Sequence, residues 1–212
     1  MISPAEQEDV RMEYARIRKE ESFMEKRDGK GYTIADIEAL PDGERAELID
    51  GEMFMMATPM TVHQRILVKL IFEIETYIRK NKGNCELLPA PFGVFIKKDD
   101  RNYVEPDISV ICHEDKLDEK GCHGAPDWVI EIVSPSSRKM DYVRKTALYQ
   151  ETGVREYWIV DPDRETVTIY EADRWEVPSC HSFSEQIRTG IYKDLYLDFT
   201  EFTKSGNATA KT

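Results

Sequence analysis

Long apolar runs are missing from this sequence of 212 residues, and no stretch approaches the roughly 20 apolar residues of a membrane-spanning helix. The first 30 residues are strongly charged and lack the apolar centre of a secretory signal peptide. The four cysteines form no Cys-x-x-Cys pair, and their spacing with the neighbouring histidines fits no zinc finger or ribbon. We therefore expect a cytoplasmic protein with reduced thiols and no contact with a membrane.

Positive charge is also scarce, since 29 Lys and Arg residues stand against 41 Asp and Glu residues, for a net charge of −12. The excess of acidic residues disfavours a nucleic-acid partner, because affinity for phosphates comes largely from Lys and Arg. The charge is uneven, however, and residues 134–155 carry five basic and two acidic residues. That segment is compatible with a local phosphate-binding patch and also with an ordinary solvated helix face.

The remaining composition is that of a globular protein, with 41% hydrophobic residues. Residues 1–30 are predicted to form a polar N-terminal helical extension, begun by a Ser3-x-x-Glu6 capping box. Residues 204–212 are predicted to be a disordered tail. Residues 31–203 are predicted to form one α/β domain with a central mixed β-sheet flanked by helices on both faces.

Several elements inside this domain have clear signals. Asp50-Gly51 between two apolar runs predicts a β-hairpin with a type I′ turn. Apolar residues at helical spacing from residue 61 predict a long helix, with Gly83 as its C-cap. A second helix is predicted over residues 137–152, ended by Gly153, and strands are predicted before it and after it.

Two predicted neighbouring strands carry a carboxylate where an apolar residue would be expected. In "DWVIEIV", alternation places Trp128, Ile130 and Ile132 on one face and Glu131 with the flanking valines on the other. In "YVEPDISVIC", Asp107 lies within another apolar run. Burying an ionised carboxylate costs on the order of several kcal/mol unless the group is paired, protonated or bound to a metal.

Two such acids side by side predict a divalent cation between them, and Mg²⁺ is suited to a site of one or two carboxylates and water. Each acid also has an ordinary alternative: Asp107 could be a solvated acid at a strand start, and Glu131 could pair with Arg138 or Lys145. Lys145 lies on one helix stripe with Asp141 and Tyr149. It is predicted either to face the two acids, where it would stabilise charge on a phosphate, or to form a surface ion pair with Asp141.

The stretches "VEPDISVIC", "GAPDWVIEIVSPSSRKMDYVRKTALYQETGVREYWIVDPD" and "ELIDGE" resemble the putative restriction endonuclease family of the PD-(D/E)XK nuclease superfamily. The resemblance covers roughly residues 33–200. It implies a restriction-endonuclease-like core and hydrolysis of phosphodiester bonds that depends on Mg²⁺ or Mn²⁺. It also implies nucleic acid, with DNA foremost, as the partner.

Pro106-Asp107 matches the PD element of that family, and Glu131 matches the acid of its (D/E)XK element. The lysine position two residues after Glu131 holds Val133, so Lys145 is the candidate replacement from the following helix. The resemblance implies a metal held by Asp107, Glu131 and the backbone carbonyl of residue 132 or Val133.

Glu47 and His63 also fall on positions that resemble the family pattern. The resemblance implies for each of them a role as a further metal ligand or a proton-transfer group. For His63 a helix-start residue satisfied by the backbone is the alternative.

The sequence leaves three functions to consider. A metal-dependent endonuclease is favoured, and double-strand cleavage by it would need two sites, as in a homodimer. The alternative is a nuclease-like scaffold with little or no catalysis that acts as a binding or assembly module, which the acidic charge and Val133 favour. A glycoside hydrolase would need a cleft rich in exposed aromatic residues, whereas the tryptophans lie in predicted strands.

Overall fold

The computed structural model describes residues 31–135 and 137–203 of the chain. The predicted N-terminal extension, residues 1–30, and the predicted tail, residues 204–212, lie outside the described residues. Within the described ranges, no helix combines the length and apolarity that a membrane crossing requires.

The strands are short, and most of them join one central sheet. In chain order they are β1 (Ala46–Ile49), β2 (Glu52–Met55), β3 (Glu86–Pro89), β4 (Val94–Phe95), β5 (Ile108–Ile111), β6 (Leu117–Asp118), β7 (Gly121–His123), β8 (Trp128–Ile132), β9 (Glu156–Asp161), β10 (Thr166–Glu171), β11 (Ser179–Ser182), β12 (Gln186–Arg188) and β13 (Tyr196–Asp198). The central sheet has the order β11-β10-β9-β8-β5-β3. Its β8–β9 pair is parallel and its other neighbouring pairs are antiparallel, so the predicted mixed sheet is confirmed.

The predicted placement of helices on both faces of this sheet is also confirmed. The α-helices are α1 (Ile34–Glu38), α2 (Thr61–Lys80) and α3 (Thr146–Thr152). On one face, α2 buries an apolar stripe against the side chains of Trp128, Ile130 and Ile132. On the other face, α3 packs with Val129 and Val133 of the β8 region. Alternation along β8 therefore puts Glu131 on the face that α3 covers.

The hairpin and the long helix follow local signals in the sequence, with one correction. β1 and β2 pair antiparallel around Asp50 and Gly51, whose φ angles of 50° and 78° fit a type I′ turn. At the end of α2, however, the left-handed residue is Lys82, with φ 53°, and not Gly83 as predicted. Gly83 instead donates its backbone N–H to the carbonyl of Ile78, which satisfies one of the last carbonyls of the helix.

The predicted strand over residues 85–98 is divided between two sheets. β3 pairs with β5 in the central sheet, whereas β4 pairs with β7 in a separate three-stranded sheet. The division falls at Pro91, which has no backbone N–H to donate to a continuing ladder.

The expectation of reduced thiols is wrong for two of the four cysteines, because Cys85 and Cys112 form a disulfide. The antiparallel pairing of β3 with β5 brings Glu86 opposite Ile111, and the two cysteines occupy the next position of that register. Cys122 and Cys180 are free thiols. Pairing between strands that are remote in sequence, not cysteine spacing, decides this bond.

Candidate active site

Asp107 and Glu131 occupy neighbouring positions on two adjacent strands of the central sheet. β5 and β8 are antiparallel with Ile108 opposite Ile130, so Asp107 and Glu131 fall on the next pair of positions. The Asp107 carboxylate crosses to β8, where its Oδ2 atom accepts the backbone N–H of Ile132 at 2.7 Å. The pairing of β5 with β8 therefore places the two acids predicted from the sequence at neighbouring backbone positions.

Lys145 reaches the same point from the helical segment after β8. Its Nζ atom lies 2.8 Å from Oε1 of Glu131 and 2.8 Å from Oε1 of Glu47, and 3.7 Å from Oδ1 of Asp141. All four of these residues are at most 5% exposed. Lys145 therefore forms a buried cluster with three carboxylates, and it does not form the exposed ion pair with Asp141 that was the alternative.

The helical segment that carries Lys145 is widened just before α3. Residues Met140–Lys145 form a π-helical turn, which runs directly into α3. The Thr146 hydroxyl donates to the carbonyl of Asp141 at 3.0 Å inside this turn. A turn of this width keeps Asp141 and Lys145, four residues apart, on nearly the same side of the helix, and π-helical turns occur frequently at functional sites.

The buried cluster contains more carboxylates than its one ammonium can neutralise. Burial raises the pKa of Glu131 well above its ordinary range; Lys145 opposes the rise, and the charges of Asp141, Asp107 and Glu47 add to it. Burial likewise raises the pKa of Asp141 to about 6 against the opposing effect of Lys145. The cluster therefore favours the uptake of positive charge, either as protons or as a cation.

Lys145 keeps its proton in this environment. Burial by itself would lower the pKa of Lys145, but the charges of Glu131, Glu47 and Asp141 outweigh burial and raise that pKa well above its ordinary value. The side chain is therefore an ammonium at neutral pH and cannot act as a general base.

Glu47 contacts Lys145 from β1, which lies outside the central sheet. Its Oε1 atom lies 2.8 Å from the Lys145 ammonium and accepts the backbone N–H of Glu105 at 3.0 Å. Within the described residues, the hydrogen bond and ion pair of the Glu47 side chain are with Glu105 and Lys145, and neither joins it to Asp107. This side chain is therefore arranged to hold the lysine.

His63 contacts the other acid of the pair at the more open side of the site. Its Nε2 atom lies 3.0 Å from Oδ2 of Asp107, and the two side chains are 12% and 17% exposed. His63 is the third residue of α2, and the positive end of that helix dipole favours a carboxylate nearby. Its Nδ1 atom has no hydrogen-bond partner among the described residues, so the alternative of a histidine satisfied by the backbone is not what the structure has.

Val133 holds the sequence position where the family pattern has a lysine, and its side chain is part of the core. It is 3% exposed and packs in the cluster that includes Val129 and Leu148. Its backbone N–H donates to the carbonyl of Val160 at 2.8 Å, which continues the pairing of β8 with β9. Only the backbone carbonyl of Val133 is chemically able to contribute to a metal site.

Sequence reasoning missed the contact of Tyr149 with Glu131. The Tyr149 hydroxyl donates to Oε1 of Glu131 at 2.9 Å, and its ring is fully buried. Burial, followed by the charges of Glu131 and Glu47, raises the pKa of Tyr149 well above its ordinary value, so the hydroxyl stays protonated. The stripe of Asp141, Lys145 and Tyr149 was the signal that could have indicated it.

The donor set fits a hard divalent cation held by few protein ligands. No group of three or more His, Cys, Asp or Glu side chains suited to a metal is present in residues 31–135 and 137–203. Mg²⁺, however, commonly takes one or two carboxylates and keeps several waters. Asp107 and Glu131 each use one oxygen for protein donors, and the hydrogen bonds of the described residues leave Asp107 Oδ1 and Glu131 Oε2 uncommitted.

Comparisons with known proteins agree with this architecture. A family model described as Uma2, putative restriction endonuclease, matches residues 34–197. The uncharacterized protein slr1290 of Synechocystis is 28% identical over 130 residues, which is 60% of this chain and 66% of that protein, slightly less than two thirds of its length.

A solved structure shares the fold. The crystal structure of a protein from Anabaena variabilis, described as a putative nuclease belonging to DUF820, superposes with a TM-score of 0.65 at 20% identity. The match covers 80% of this chain and 96% of that one. At this identity the likeness establishes the fold alone.

Proposed function

The chain belongs to the Uma2 family of putative restriction endonucleases, and on that premise we propose that it is a metal-dependent nuclease that hydrolyses phosphodiester bonds, with DNA as the expected substrate. The observation that carries the proposal is the contact between Lys145 and Glu131, on the strand position next to Asp107. Two acids that can hold a cation, with an ammonium beside one of them, suit hydrolysis of a charged phosphate.

Asp107 and Glu131 would hold Mg²⁺ or Mn²⁺, together with the backbone carbonyl of Ile132 or Val133. When bound, such an ion polarises the phosphate and lowers the pKa of a coordinated water. The surplus of carboxylates around Lys145 supports this assignment, because a divalent cation would offset charge that the protein leaves unbalanced.

The chain's own side chains would then act as fixed charges and donors. Lys145, an ammonium that Glu47 and Glu131 hold in place, would stabilise negative charge on an oxygen of the reacting phosphate. His63 would keep the Asp107 carboxylate in position through the 3.0 Å contact of its Nε2 atom, and its unpartnered Nδ1 atom makes it the candidate for proton transfer. These roles act on the phosphate and carry no sequence information, so a recognition sequence is not part of the proposal.

The test is cleavage of supercoiled plasmid and of single-stranded DNA with Mg²⁺, Mn²⁺ or EDTA. Wild type is compared with Asp107→Ala and Lys145→Ala, each checked for folding by circular dichroism. We expect cleavage that requires a metal and is lost in both variants. Cleavage that is absent from the wild type, or indifferent to Asp107→Ala, would favour the nuclease-like scaffold that acts as a binding or assembly module. Linear product formed without a nicked intermediate would indicate two cooperating sites, as in a homodimer.

A further inference from the structure

Tyr149 adds a second hydrogen-bond donor to one oxygen of Glu131. Oε1 of Glu131 accepts the Tyr149 hydroxyl at 2.9 Å and the Lys145 ammonium at 2.8 Å, and both donors come from the same helical segment. Within the described residues, Oε2 of Glu131 takes part in no hydrogen bond. The two oxygens of this carboxylate are therefore in different environments.

We propose that Tyr149 is a positioning residue for metal binding: it fixes the Glu131 carboxylate through Oε1, so that Oε2 is the oxygen presented to a divalent cation. This inference rests on the proposed metal-dependent function and adds a residue to it. The residue would act through Glu131 and would not touch the metal or the DNA.

The geometry explains why Lys145 does not suffice for this task. Its ammonium is shared between Glu131 and Glu47 at equal distances of 2.8 Å, with Asp141 at 3.7 Å, so it can follow any of these carboxylates. The Tyr149 hydroxyl has Glu131 as its partner, and its ring is fixed by edge-to-face packing against Tyr157, with ring centroids 4.7 Å apart. A rigid phenol sets the carboxylate orientation more firmly than a long flexible amine does.

Tyr157 offers a matched control for a purely structural role. Both tyrosines are fully buried in one apolar cluster, and each hydroxyl donates one hydrogen bond. The Tyr157 hydroxyl, however, donates to the backbone carbonyl of Asp141 at 3.0 Å and not to a carboxylate of the site. Tyr157→Phe therefore removes a comparable buried hydrogen bond without releasing Glu131.

The experiment compares wild type, Tyr149→Phe, Tyr157→Phe and Asp107→Ala by calorimetric titration with Mn²⁺ in the absence of DNA. Thermal unfolding of each metal-free variant is measured alongside. We expect Tyr149→Phe to weaken Mn²⁺ binding about tenfold or more, the usual effect of removing a partner that orients a metal ligand. Tyr157→Phe should bind Mn²⁺ as the wild type does, and the two tyrosine variants should unfold at similar temperatures.

Each other outcome decides a separate point. Wild-type affinity for Mn²⁺ in Tyr149→Phe, with binding still lost in Asp107→Ala, would overturn the role of Tyr149 and leave the proposed nuclease intact. Equal weakening in Tyr149→Phe and Tyr157→Phe would reduce both residues to structural support. Absence of Mn²⁺ binding in the wild type would overturn the proposed function, and the role of Tyr149 with it.

Discussion

Lys145 and Glu131 form an ion pair of 2.8 Å between a helix and the centre of the sheet, and both side chains are almost completely buried. The lysine is 14 residues after the glutamate and reaches the face on which a lysine at position 133 would lie. A side chain from the helix thus supplies the charge that the strand does not carry.

The buried ammonium should matter for stability as well as for activity. Lys145→Met leaves Glu47 and Glu131 without their shared partner, and breaking a buried ion pair costs about 3 kcal/mol or more. Urea unfolding followed by tryptophan fluorescence measures the loss. Lys69→Met is the control, because Lys69 pairs with the partly exposed Glu73 and the exposed Glu201, and its removal should cost about 1 kcal/mol or less. Equal losses for the two variants would contradict the buried cluster.

Asp141 should make stability fall as pH rises. Its pKa is raised to about 6 in the folded protein, so the folded state binds its proton more tightly than the unfolded state does. The resulting stabilisation is present below pH 4 and is lost as pH rises through 6. As pH rises between these values, the free energy of unfolding of the wild type should fall by up to about 3 kcal/mol relative to that of Asp141→Asn. Urea unfolding without metal measures this difference. A difference between the two proteins that stays constant with pH would refute the shift.

Divalent metal should stabilise the folded protein through Asp107. A ligand present at 100 times its dissociation constant adds about 2.7 kcal/mol to the free energy of unfolding. Differential scanning fluorimetry at neutral pH should show an unfolding temperature that rises with Mn²⁺ concentration in the wild type. Asp107→Asn should lose this response, whereas Asp118→Asn, a change at the exposed end of β6, should keep it. Retention of the response in Asp107→Asn would place the cation elsewhere.

His63 should contribute to cleavage through its contact with Asp107. His63→Gln removes the imidazole that lies 3.0 Å from Oδ2 of Asp107, and we expect the cleavage rate to fall about 10- to 100-fold. His181→Gln is the matched control, because His181 contacts Ser179 and Glu185 in the β11 region. Plasmid cleavage at saturating Mn²⁺ compares the two. A rate in His63→Gln equal to that of the control would remove His63 from the site.

A lysine placed on the strand should partly replace the lysine on the helix. Residue 133 lies two positions after Glu131, so its side chain is on the same face of β8. In a Lys145→Met background, Val133→Lys should raise the cleavage rate about tenfold or more over Lys145→Met alone. The reason is that a fixed positive charge near the phosphate stabilises the negative charge on it. Val129→Lys, on the same face but on the side of Glu131 away from the Ile132 N–H that Asp107 accepts, is the control and should recover none. Failure of Val133→Lys to recover activity in a folded protein would show that the helix position is required.

Much of the fold was predictable because its signals are local. The type I′ turn depends on Asp50 and Gly51 alone, whose positive φ angles few other residue pairs accept. The long helix follows from the spacing of its own apolar residues, five of which are buried in the structure. Gly83 was misassigned as the cap because Lys82 takes the left-handed conformation instead, a choice that packing of the following chain can impose on a residue other than glycine.

The sequence indicated which residues form the site, but not how those residues are arranged. Alternation in β8 shows that Glu131 lies on the face opposite Trp128, and an acid there requires a partner. The sequence offered both Arg138 and Lys145 as that partner. In the structure Arg138 pairs with Asp161 and Asp163 at the end of β9, which leaves Lys145 for Glu131.

The sequence by itself determined the local conformations and the presence of an acid within each of two apolar strands, because turns, helix caps and strand alternation depend on residues close together in the chain. Only the tertiary structure decided which distant groups meet: Glu47 with Lys145, Tyr149 with Glu131, and Cys85 with Cys112. Contacts of this kind depend on strand order and on a π-helical turn. Those features are set by the burial of the whole chain, and no single segment encodes them.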